Sequence, residues 1–112
     1  MRKTSYLTRA LLVVTALSGG ACVSLEQAAP LPETLPAAMR VGTPSQLALG
    51  REIYVTKCAA CHSVEPVRKY SLAQWEHEIL PEMAEETNLN EHDTAAVRAY
   101  VVSVLKSPVT EG

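Results

Sequence analysis

Cys58-Ala59-Ala60-Cys61-His62 is the stretch on which the reading of this chain turns. Residues i and i+3 share one face of a helical turn, so the two thiols can reach two neighbouring points of a single flat group. The histidine that follows offers a neutral imidazole nitrogen, a good axial ligand for iron. Two cysteines at this spacing with histidine next is the attachment signature of c-type haem, with Cys58 and Cys61 as thioether sites and His62 as ligand. Two other uses of the spacing have to be weighed. A thioredoxin-like redox pair wants a βαβ context, and no clear strand run flanks the motif. A closed zinc site needs four ligands, so His77 or His92 would have to join the three, and there is no second CxxC.

Composition points the same way. The chain has 112 residues, no Phe and one Trp, and the pattern that looks foldable runs only from about Thr43 to Ser107. That is close to the size at which one apolar core barely suffices. A covalently held haem would add the missing core volume. Three cysteines do not make a disulfide framework: two belong to the motif, and Cys22 stands apart.

Residues 1–22 read as an export signal. Arg2, Lys3 and Arg9 form a basic start, Ala10 to Leu17 an apolar core, and Ser18-Gly19-Gly20-Ala21 a small-residue cleavage region. The apolar run is too short to remain as a membrane-spanning helix. Removing these residues takes away three cations and no acid, leaving 7 basic against 12 acidic side chains and a net charge of −5. Such a surface argues against nucleic acid and anionic lipid as partners, and favours a redox partner with a basic docking face. Small residues followed by Cys22 resemble the bacterial lipoprotein signal, although Gly19 stands where that signal usually has Leu. The resemblance implies a lipidated Cys22 and anchoring at a membrane; the alternative is plain cleavage that leaves a free thiol. From 23 to 42, Pro30, Pro32 and Pro36 with scattered alanines and no sustained apolar period predict a flexible Pro/Ala-rich tether.

The domain proper is expected over 43–112, all-α, with three main helices. Thr43, Pro44 and Gln46 open the first, which carries Leu47, Gly50, Ile53 and Tyr54 at helical spacing towards Cys58. After a loop from Ser63 to Tyr70, Ser71 and Gln74 cap a short helix with Leu72, Trp75 and Ile79 on one face, ending at or near Pro81. The Trp75 indole N–H would find a backbone carbonyl or a haem propionate. Asn90 and Asp93 open the last helix, striped by Val97, Tyr100, Val101, Val104 and Leu105, with Lys106 and Pro108 at its end. Candidates for a second iron ligand are Met39, Met83, His77 and His92. Met39 lies in the tether, His92 in the first turn of the last helix, and His77 points about 200° away from Trp75.

The motif, the Gly50-x-x-x-Tyr54 pair and the last-helix residues Val97 and Tyr100 together resemble the class I cytochromes c, over residues 45 to 107. In that family a glycine and an aromatic four residues later pack the first helix against the last. The resemblance implies a small all-α domain around one covalently bound haem c. Its iron would be held by His62 and by Met83, because the family delivers its methionine from a loop ahead of the last helix. The implied function is single-electron transfer in the periplasm or at its membrane surface, without catalysis of its own, alone or as a subunit of an oxidoreductase. Two rivals use the same cofactor: a haem-based small-ligand sensor, which needs an open or labile sixth site, and a peroxidase-like enzyme, which wants a distal base such as His77.

Overall fold

The computed structural model describes residues 23–58 and 63–109. Residues 1–22, Ala59 to His62 and 110–112 lie outside the described residues, and with them the expected signal, Cys22, Cys61 and His62. Among the described residues every regular element is helical and none is a strand. None of these helices is long and apolar enough to cross a membrane.

Two long helices make the frame. Helix α2, Pro44–Thr56, starts where the Thr43 hydroxyl accepts the Gln46 N–H at 3.1 Å, and Pro44 fills the first turn. Helix α5, Glu91–Lys106, starts where the Asn90 side chain accepts the Asp93 N–H at 2.8 Å. Glu91 and Asp93 stand at its positive end and Lys106 at its negative end. The inner stripe of α2 is Leu47, Gly50, Ile53 and Tyr54, and that of α5 includes Val97, Tyr100, Val101 and Val104, all buried. The helices cross at Gly50. A Cβ there would lie inside the van der Waals shell of the Ala96 carbonyl oxygen and 2.8 Å from Tyr100 Cβ.

The middle of the chain departs from expectation. Ser71 and Gln74 form the expected capping box, with bonds of 3.2 and 2.9 Å. The helix does not stop at Pro81, however. Helix α3, Leu72–Gln74, runs into a π-helical turn, Trp75–Ile79, and then straight into α4, Leu80–Glu86. Proline inside an α-helix removes one bond and crowds the carbonyl four residues back; the widened turn just before Pro81 takes up both defects. Helix α4 ends at Thr87, and Asn88 turns the chain with a left-handed φ of 54° while the Leu89 N–H reaches the Ala84 oxygen at 2.9 Å.

The expected tether is also corrected. Residues 23–42 form a strap packed across α2 and α5: a short helix α1, Leu25–Ala28, and two 3₁₀ turns, Pro32–Thr34 and Ala37–Met39. Ala28, Ala29 and Leu35 are buried. The strap is bonded at three places: Tyr100 Oη donates to the Pro30 oxygen at 2.8 Å, Arg51 Nε to the Ala29 oxygen at 2.9 Å, and the Val41 N–H to Ser103 Oγ at 2.7 Å. Small alanines allow close approach, and the prolines hold φ fixed, so little chain entropy is lost on docking.

Candidate functional site

The carboxyl end of α2, the loop from Ser63 to Tyr70 and the inner face of residues 72–86 enclose a cavity of about 550 Å³. Its body is apolar and aromatic, formed by Tyr54, Val64, Tyr70, Trp75, Ile79 and Met83. Its rim carries Lys57, Glu82, Glu86 and Thr87. Cys58 lies in its wall, buried, one turn beyond Tyr54. Small-molecule and cofactor sites usually occupy roughly 300–1,000 Å³ and combine apolar walls with a few polar groups, as here.

Aromatic rings set the walls. Trp75 packs edge-on against Tyr54 at 5.8 Å between centroids and against Tyr70 at 5.9 Å. Each ring also fixes the loop that follows the CxxCH motif. The Tyr54 hydroxyl donates to the Glu65 backbone oxygen, and Trp75 Nε1 donates to the Val67 oxygen at 2.8 Å. Tyr70 Oη and Lys69 Nζ donate to the two Glu65 carboxylate oxygens, at 2.9 and 2.6 Å. On the far side Arg68 donates to the Ser107 oxygen at 2.7 Å, tying the loop to the end of α5. The loop from Ser63 to Tyr70 is therefore held at both flanks, on one side by the cavity rings and on the other by the end of α5.

Burial raises the Cys58 thiol above its ordinary pKa, and the neighbouring Lys57 charge works against that rise. The group is thus a neutral thiol in an apolar wall. Burial likewise raises the Tyr54 and Tyr100 hydroxyls well above 10, so both are donors at any physiological pH.

Of the residues singled out in the sequence, Cys58 and Met83 line one cavity. Cys61 and His62 lie outside the described residues. Met83 is on helix α4, not on a loop as the family resemblance implied, and it is half-buried. His77 and His92 are exposed, and neither they nor Met39 line the cavity. Among the described residues no group of three or more His, Cys, Asp or Glu gathers as a metal site. Sequence reading missed Tyr70 and Ile79 as walls and Glu65 as the hub of the loop. The four-residue steps from Trp75 to Ile79 to Met83 were a usable signal; the Glu65 network, which joins groups on a loop of no periodicity, left none.

Compared with protein-family models, with curated proteins and with solved structures, the chain finds no match.

Proposed function

We propose that this chain is a monohaem c-type cytochrome that carries single electrons outside the cytoplasm, with Cys58, Cys61 and His62 as attachment and proximal residues and Met83 as distal ligand. The observation that carries the reading is the meeting of Cys58 and Met83, a thiol and a thioether, in one aromatic cavity beside a CxxCH motif. The donor set fits a haem: a protonated thiol for covalent attachment, a soft sulfur ligand, flat apolar walls and a polar rim.

Bound haem iron supplies one-electron chemistry between its ferric and ferrous states. The chain does the rest. Cys58 would hold the group by adding its S–H across a vinyl C=C, sulfur to one carbon and hydrogen to the other, and Tyr54, Trp75 and Ile79 would give it apolar walls. Met83 would hold the iron through its thioether sulfur, a soft ligand that would favour the ferrous state and raise the reduction potential over that of a bis-histidine site. We further propose export through residues 1–22 and lipid anchoring through Cys22. The acidic net charge supports a basic redox partner.

The test is expression with a haem-attachment system, followed by denaturation and a visible spectrum. Haem should stay with the denatured chain, and Cys58→Ala should leave at most one thioether and a sharply lower yield. The ferric spectrum should be low-spin, and Met83→Ala should turn it largely high-spin and lower the potential. A folded chain that retains no haem sinks the reading. A high-spin spectrum without substitution would favour a ligand-binding or peroxidase-like role.

A further inference from the structure

Trp75, Ile79 and Met83 are four residues apart and all line the cavity. On an unbroken α-helix each four-residue step turns about 400°, so Met83 would stand about 80° round from Trp75. The π-turn over Trp75–Ile79 cancels that drift. A turn closed by bonds to the fifth residue back holds more than four residues, and side chains four apart then stay nearly in line. The bond that defines this register is the Leu80 N–H to the Trp75 oxygen, where an α-helix would use Glu76. Pro81 comes next. Its nitrogen carries no hydrogen, and in an α-register its ring would press on the His77 carbonyl.

We infer that Pro81 is a positioning residue: by barring the α-register at His77 it maintains the π-turn, and the π-turn turns Met83 to the face of Trp75. The inference rests on reading the cavity as a haem site with Met83 as ligand. Its structural half, the register, is measurable without that reading. Pro81 does not line the cavity; it acts through Met83.

The register is read by the trans-hydrogen-bond NMR coupling from the Leu80 amide to its acceptor carbonyl, in the chain as isolated, with or without haem. The unsubstituted chain should show Trp75 as acceptor. Pro81→Ala restores an N–H and lifts the steric bar, so the acceptor should move to Glu76. The ferric iron of the loaded chain should become largely high-spin, although the helix has lost its proline. The deciding variant adds deletion of Glu78, an exposed residue, to Pro81→Ala. Trp75 is then four residues back from Leu80 and seven from Met83, about 20° from alignment on an α-helix. The Leu80 bond should return to Trp75 and the low-spin spectrum should return with it. Simple loss of stability would not be cured by removing a further residue. If Pro81→Ala keeps the Trp75 acceptor, or loses it without the deletion restoring both signals, the inference is overturned. If Pro81→Ala alone does not fold, the double variant decides: folded with Trp75 as acceptor it supports the inference, and otherwise it overturns it. A chain that never takes up haem would sink the proposed function while the register measurement still decides on Pro81.

Discussion

Tyr54 and Tyr100 show how single side chains couple stability to pH. Both are buried, and burial raises both hydroxyl pKa values above the ordinary 10. In the unfolded chain each titrates near 10, so the stability that comes from keeping them neutral is complete below that pH. Above it the unfolded state gives up protons that the folded state retains, and stability falls as pH climbs towards the folded values. Each such group contributes a slope of about 1.4 kcal/mol per pH unit in that window. Urea midpoints measured from pH 8 to 11 should therefore drop steeply beyond 10, and Tyr100→Phe should make the drop shallower. An unchanged slope in that variant would remove Tyr100 from the account. Its hydroxyl bond to Pro30 makes the same variant modestly less stable at pH 7, by about 1 kcal/mol.

Among the elements, the crossing of α2 and α5 depends on the absence of one methyl group. Gly50→Ala would drive a Cβ into the Ala96 carbonyl, and backbone cannot yield as a flexible side chain would. The helices must separate or tilt, at a cost of about 3 kcal/mol. Thermal unfolding should move down by well over 5 °C for a domain of this size; a change within 1 °C would mean that the helices do not approach as described. These two helices were also the most legible elements in the sequence, since each pairs a side-chain cap with an apolar stripe of helical period. The helix from Leu72 to Glu86 was only half legible. Its capping box predicted the start, but Pro81 reads as a stop unless a π-turn precedes it, and nothing local announces one. Met83 was expected on a loop because the family resemblance implies one there, and a stop at Pro81 agrees with that placement. The cavity was legible at Cys58, Trp75 and Met83, and illegible at Glu65, whose bonds depend on where Tyr54 and Tyr70 arrive in three dimensions.

For the molecule as a whole, the strap over residues 23–42 is part of the body. It escaped sequence reading because a four-residue helix and two 3₁₀ turns have no period to detect, while proline and alanine are as common in linkers as in tight packing. Leu35→Ala separates the two descriptions. On a free tether it would be silent; in the strap Leu35 is 5% exposed and belongs to the core, so its truncation should lower the unfolding free energy by about 2–3 kcal/mol. Chemical denaturation of the two chains side by side gives the answer.

A docked strap also changes what an anchor at Cys22 would mean. A 20-residue leash would let a redox centre sweep a hemisphere of aqueous space above the bilayer. With Ala28 already buried, about five residues remain between anchor and body, at most about 18 Å of chain. The domain would then move as a puck on a surface, not as a ball on a string. Its orientation would be restricted, its search two-dimensional, and its encounters limited to partners whose docking faces lie at the same height. If Cys22 is lipidated as proposed, lengthening the chain between Cys22 and Ser24 with a glycine-serine spacer should widen the set of heights at which the domain can dock, and dilute its effective concentration at any one of them.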